Sequence, residues 1–184
     1  MMELKRLENE KIVDREKVLD EIKRAADEEY ETIWDNGGRI TQQKKKSKIK
    51  RGKASKAKGG IFELRVRKDL IERGWVVDKW SNNIDLELGE MHPAKRKYNP
   101  FSKALTIGTG FPDFVCFEKR GDLYKVIGVE VKINGTLSRI EKEKCAWYLK
   151  NEVFNEILIA SKAKEKNRVR VTYVDFLEVA GRMR

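Results

Sequence analysis

Histidine is nearly missing from this sequence: His92 is the only one in 184 residues. Its scarcity argues against histidine-based nuclease sites, zinc proteases and serine-hydrolase triads, each of which needs an imidazole in a particular setting, and His92 is given no role. Cysteine is almost as scarce. Cys116 and Cys145 stand far apart in apolar surroundings, without a CxxC pair of the kind that builds zinc or iron–sulfur sites, so both are expected as buried free thiols. No apolar run approaches the roughly 20 residues of a membrane span. The charged N-terminus has no signal-peptide core, so no membrane partner and a cytoplasmic location are expected. Gly108-Thr109-Gly110 lacks the following GK[ST] of a phosphate-binding loop, which argues against a nucleotide cofactor.

Charge is what the sequence has in abundance. Charged residues make up 39% and hydrophobic ones 40%, enough for a core beneath a heavily solvated surface. The length suits one ordinary domain with an appendage. The net charge of +11 is unevenly spread: residues 1–36 carry 7 basic and 12 acidic side chains (net −5), residues 37–59 carry 10 and 0 (net +10), and the remainder 24 and 18 (net +6). A basic block of this kind favours a polyanionic partner, because Lys and Arg release counterions from phosphates on binding; a solubilising tail is the blander alternative. Lys44, Lys45, Lys46, Lys48, Lys50, Arg51 and Lys53 are the DNA-binding candidates in this block.

Ile12, Leu19, Ile22, Ala26, Tyr30 and Ile33 recur at helical spacing, which predicts one amphipathic helix within residues 1–36. Its apolar stripe must dock on the core or pair with a second copy. Residues 37–59, with almost no apolar side chains, read as a flexible basic linker. The folded domain then spans residues 60–184. Phe62, Val66 and Leu70 share one helical face ahead of Gly74, a natural C-terminal cap, and a strand over 75–80 follows. Residues 81–110 show no sustained alternation and read as a long loop or irregular insertion. Strands over 111–117 and 124–132 form an antiparallel hairpin. A helix starts near Ser138, where Glu141 three residues on completes a capping box, and strands over 156–160 and 169–174 close the order.

The chemistry lies in Pro112-Asp113 on one strand and Glu130-Val131-Lys132 on the next. Side chains alternate along a strand, so Glu130 and Lys132 share a face about 6.6–6.8 Å apart, with Val129 and Val131 turned to the core. Pairing of the two strands sets Asp113 beside Glu130. Two carboxylates on an apolar sheet are costly unless a cation joins them, and oxygen donors suit magnesium or manganese. Such an ion activates water and steadies charge on a scissile phosphate, while Lys132 orients the nucleophile or neutralises the transition state. The alternative is a half-exposed strand whose polar face happens to carry Glu130 and Lys132, with Asp113 as a turn residue.

Gly60-Ile61-Phe62-Glu63, Gly74-Trp75, Gly110-Phe111-Pro112-Asp113 and Val129-Glu130-Val131-Lys132 together resemble the PD-(D/E)xK nuclease superfamily over about residues 59–160. The basic run before Glu63 resembles the archaeal Holliday junction resolvases. Gly-Phe-Pro-Asp and Leu137-Ser138 resemble the virus-type replication-repair nucleases, although Glu141 stands where that branch usually has glutamine. The resemblance implies an α/β, restriction-endonuclease-like core (helix, three strands, helix, strand, strand). It implies Asp113 and Glu130 as metal ligands with the Val131 carbonyl, Lys132 as catalytic, and Glu63 completing the acidic cluster. An exposed Glu63 pairing with Arg67 at i,i+4 is the alternative. Outside the resemblance, Lys95, Arg96 and Lys97 beside Tyr98, joined by Lys103, suit phosphate contacts with stacking, or a solvated loop.

The expected function is therefore a Mg2+- or Mn2+-dependent endonuclease hydrolysing DNA, with branched DNA as a candidate substrate and, by likeness to the resolvases, a homodimer as a candidate assembly. A DNA-binding module of the same fold without chemistry is the main alternative. An adaptor acting through N-terminal coiled-coil pairing is the third.

Overall fold

The computed structural model describes residues 15–93, 96–99, 104–107, 110–165 and 168–181, of which 96–99 and 104–107 are described by backbone alone. The chain divides into two compact units, Met1–Ala57 and Lys58–Arg184. The described residues form a mixed α/β protein with four helices.

In the first unit, α1 (Arg15–Ala26) is followed by β1 (Tyr30–Trp34) and β2 (Ile40–Lys45). The single helix expected across residues 1–36 is thus shorter; its first residues, with Ile12, lie outside those described. Tyr30 and Ile33 continue the helical spacing by coincidence. Their segment, Tyr-Glu-Thr-Ile-Trp, is aromatic and β-branched and runs into Asp-Asn-Gly-Gly, which favours a strand entering a hairpin. Asp35 Oδ1 accepts the N–H of Gly37 at 2.9 Å and of Arg39 at 2.8 Å, Gly38 takes a positive φ of 74°, and β1 pairs antiparallel with β2 from Tyr30↔Lys45 onward. No residue of α1 is buried, and Val18, Leu19 and Ile22 stay exposed.

The flexible linker expected at residues 37–59 is also corrected. After β2, helix α2 runs from Lys46 to Glu72 without a break. Lys and Ala are good helix formers, and extending a helix is far easier than nucleating one. The buried face of Phe62, Val66 and Leu70 anchors the helix, and the basic segment prolongs it. Its end matches the expected cap: Gly74 has φ 91°, its N–H donates to Ile71 O at 2.9 Å, and Trp75 N–H donates to Leu70 O at 3.1 Å, which is the Schellman closure.

The second unit is built on a five-stranded sheet in the order β11-β10-β9-β8-β3, made of β3 (Val76–Lys79), β8 (Phe114–Arg120), β9 (Leu123–Val131), β10 (Glu156–Glu165) and β11 (Arg168–Asp175). Only β9 and β10 pair in parallel, and α3 (Arg139–Lys150) connects them. Residues 81–110 are not one irregular loop. They contain two short hairpins, β4 (Asn82–Asp85) with β5 (Glu90–Pro93) and β6 (Arg96–Asn99) with β7 (Ala104–Ile107), strands of four residues that offer too few positions for alternation to show. A terminal helix, α4 (Phe176–Gly181), was not foreseen.

Both faces of the sheet are covered. Phe114, Cys116, Ile127 and Val129 pack with Phe62, Val66 and Leu70 of α2, while Val115, Ile157 and Ile159 pack with Cys145 and Tyr148 of α3, with Phe154 and Phe176. Burying each large apolar side chain contributes roughly 1.5–3 kcal/mol. Cys116 and Cys145 are buried free thiols as expected, held up at about 12 by burial. Among the described residues no helix is long and apolar enough to cross a membrane.

Candidate active site

The β8–β9 hairpin sets the register. Phe114 stands opposite Val129, so the residue before Phe114 and the residue after Val129, Asp113 and Glu130, meet across the strands. Asp113 sits just ahead of β8 rather than within it. Its Oδ2 accepts the backbone N–H of Val131 at 2.9 Å, which ties the carboxylate to the end of β9. Two glycines make the placement possible. A Cβ on Gly110 would stand 2.3 Å from Trp80 O, so only glycine lets the Phe111-Pro112-Asp113 segment lie against the backbone after β3. A Cβ on Gly128 would meet Pro112 Cγ at 2.8 Å.

Glu130 is the one buried charged residue of the described core, at 4% exposure. Its partner is Lys132, whose Nζ lies 3.0 Å from Glu130 Oε1 and also bonds Glu141 Oε1. Glu141 does two things at once. It is the third residue of α3, its N–H donates to Ser138 Oγ and its Oε2 accepts the Ser138 N–H at 2.7 Å, closing the expected capping box. Its other oxygen takes the lysine. The sequence had shown only the capping role; the missing signal was that a cap beside the end of β9 must aim its carboxylate at the Lys132 face.

The electrostatics follow from burial. Desolvation raises Asp113, against the lowering effect of the Val131 hydrogen bond, and Glu63 adds to the rise by repulsion. Glu130 is pushed up to about 7, by burial first and by the neighbouring Asp113 second, despite Lys132. Burial pulls Lys132 down, but hydrogen bonds to Glu141 and Glu130 outweigh it and the ammonium is held above its usual range. For Glu141 burial acts upward, yet the bonds from Lys132 and Ser138 prevail and lower it. The site therefore keeps Asp113 and Glu130 raised even though Lys79 and Lys132 act on Asp113 and Lys132 bonds Glu130.

Glu63 does not make the ion pair with Arg67 that was its alternative reading. Its Oε2 pairs with Lys79 of β3 at 3.1 Å, not with Arg67, whose Nη2 reaches Val77 O at 3.5 Å. Among the described residues no three His, Cys, Asp or Glu side chains converge to hold a metal ion. Glu63 is close enough to the carboxylate pair to act on Asp113 through its charge. A set of two oxygen-donor carboxylates still fits magnesium, which characteristically takes one or two carboxylates and completes its shell with water and substrate phosphates. It does not fit structural zinc, which wants four protein ligands of nitrogen or sulfur.

The basic candidates separate into two groups. Lys44 and Lys45 lie on β2, and Lys46, Lys48, Lys50, Arg51 and Lys53 on the first turns of α2. Lys44, Lys45, Lys48, Lys53 and Lys56 line a groove of about 720 Å3 beside Tyr30, with Lys45 Nζ 5.5 Å from the Tyr30 ring centre; Lys46, Lys50 and Arg51 are outside that lining. Arg96 and Lys97 fall on β6, and Lys95 and Lys103 lie outside the described residues. Comparison of the chain with protein-family models, curated proteins and solved structures gives no match.

Proposed function

We propose that this protein is a metal-dependent endonuclease that hydrolyses DNA phosphodiester bonds, with a restriction-endonuclease-like core and a site of the PD-(D/E)xK type. The observation that carries the reading is the meeting of Asp113 and Glu130 across the β8–β9 register, with Lys132 bonded to the second carboxylate. The arrangement of a helix, a hairpin with a third strand, a second helix and a parallel strand beyond it, with α2 and α3 on opposite faces, supports the same core.

Asp113 and Glu130, with the Val131 carbonyl by the family resemblance, would hold magnesium or manganese, which supplies a water of lowered pKa and Lewis-acid polarisation of a phosphate. The protein's own contribution is positional. The Val131 N–H fixes the Asp113 carboxylate, so its orientation is set before substrate arrives. Lys132, restrained between Glu130 and Glu141, presents a preorganised cation to the negative charge that develops on a phosphorane. The cover of α3 over this face keeps Glu130 from bulk water, which strengthens every such interaction. Affinity for the polyanion comes from the basic face of β2 and α2, where five lysines surround Tyr30 without a carboxylate in the lining.

The test is incubation with labelled duplex, single-stranded, flap and four-way-junction DNA in Mg2+, Mn2+ or chelator. Divalent-dependent cleavage of at least one substrate is expected, and its preference separates a junction enzyme from a general one. Binding without cleavage under every condition would replace the enzyme with a binding module.

A further inference from the structure

The DNA-binding candidates drawn from the sequence all lie outside one small pocket of the second unit. Lys58, Ile61, Phe62 and Arg65 of α2 meet Ile133 and Lys162 around a cavity of about 290 Å3. On α2 these four residues recur at i, i+3, i+4 and i+7, so they share one helical face. The pocket adjoins the candidate active site along the chain from two directions: Phe62 precedes Glu63, and Ile133 follows Lys132.

Three features of this pocket point to an anion. Its lining has three cations and no carboxylate. Elsewhere on the unit cations are commonly matched, as in Lys68–Glu72, Arg73–Asp69, Lys79–Glu63 and Arg139–Glu143, whereas no carboxylate among the described residues pairs with Lys58, Arg65 or Lys162. Arg65 makes only a long contact, from Nη1 to Val169 O at 3.4 Å, so its guanidinium keeps donors to spare. The preceding turn is also unobstructed. A Cβ on Gly59 or Gly60 would meet nothing within 4 Å, and paired glycines inside a helix, which cost stability, leave room for close approach of another backbone.

We infer that Lys58, Arg65 and Lys162 form a phosphate-binding subsite that holds the sugar–phosphate strand of a DNA substrate beside the bond to be cut. Ile61 and Ile133, both exposed, supply apolar contact for the sugar, and the three cations fix the strand's path without reading its bases. The assignment of the strand's neighbour as the scissile bond rests on the nuclease reading; the phosphate contacts do not.

The test measures binding of labelled DNA by fluorescence anisotropy in chelator, over a salt series, for the full chain. Lys58→Gln with Lys162→Gln removes two contacts, so the slope of log affinity against log salt should flatten by about 1.4–1.8, with affinity down about tenfold or more. Lys58→Arg with Lys162→Arg should restore both. The pair Lys119→Gln and Lys150→Gln, which deletes equal charge elsewhere on the unit, should leave the slope near that of wild type, and melting curves confirm that each variant is folded. A slope and affinity for the Lys58/Lys162 pair equal to those of the Lys119/Lys150 pair overturns the subsite, as does absence of DNA binding by wild type. Since no metal is present, loss of binding in the Lys58/Lys162 pair upholds the subsite even if the protein never cuts, in which case only the nuclease reading falls.

Discussion

Pro112 occupies the space that Gly128 leaves on the adjacent strand: a Cβ at Gly128 would stand 2.8 Å from Pro112 Cγ and 3.3 Å from the Phe154 ring. The residue after Pro112 is Asp113, so a packing relationship in the core determines where a site carboxylate lies. Gly128→Ala should therefore cost about 1–3 kcal/mol through overpacking, read by urea denaturation. It should also lower cleavage in folded protein by displacing Asp113. Unchanged stability would show that Pro112 yields easily and does not set the site.

Glu141 separates two roles that a single substitution can divide. Glu141→Gln keeps a capping-box side chain but removes the negative partner of Lys132, and should cost about 1–2 kcal/mol; Glu141→Ala should cost about 1 kcal/mol more through loss of the cap. Because the Glu141 bond helps hold Lys132 protonated, Glu141→Gln should move the alkaline limb of the pH–rate profile to lower pH. An unshifted limb would mean that Glu130 alone sets the lysine's titration.

Burial of Glu130 makes stability depend on pH. Its folded pKa of about 7 lies above the unfolded value near 4.5, so the folded state binds more protons in that window and stability falls as pH rises through it. The shift corresponds to roughly 3 kcal/mol at 1.36 kcal/mol per unit, complete above about pH 7. Glu130→Gln should flatten this slope and melt higher than wild type at pH 8 in chelator. Divalent magnesium should raise the wild-type melting temperature more at pH 8 than at pH 5.5 and have little effect on Glu130→Gln. A magnesium effect independent of pH and of Glu130 would place the ion elsewhere.

The hairpin carrying the site was legible in the sequence because its features are local. Two continuous apolar runs, Phe114–Phe117 and Val126–Val129, are separated by a charged turn at Gly121, and Ser138 with Glu141 marks the next helix. Phe62, Val66 and Leu70 announced the buried helix face in the same way. What escaped was set by context. The helical state of residues 46–58 depends on a packed segment further along the chain, Tyr30 and Ile33 keep helical spacing although their segment is a strand, and the pairing of Glu63 with Lys79 needs a fold before it can be seen. The second function of Glu141 was hidden for the same reason.

The extent of α2 can itself be tested. A Cβ on Gly52 or Gly59 meets nothing within 4 Å, so alanine at each should stabilise the helix by about 0.5–1 kcal/mol and slow amide exchange across residues 46–58. No change in exchange would indicate that this basic segment is not helical in solution.

The most direct test of the account is to measure DNA binding and DNA cleavage side by side for wild type, Asp113→Asn, Glu130→Gln and Lys132→Gln in magnesium. Each variant removes one charge while preserving size or reach. Metal-dependent cleavage by wild type is expected, with each variant binding DNA within a few-fold of wild type but cutting at least about 100-fold more slowly, the scale expected when a preorganised charge-stabilising group is lost. Cleavage by Asp113→Asn and Glu130→Gln at the wild-type rate would contradict it, and would move the chemistry away from the end of the β8–β9 hairpin.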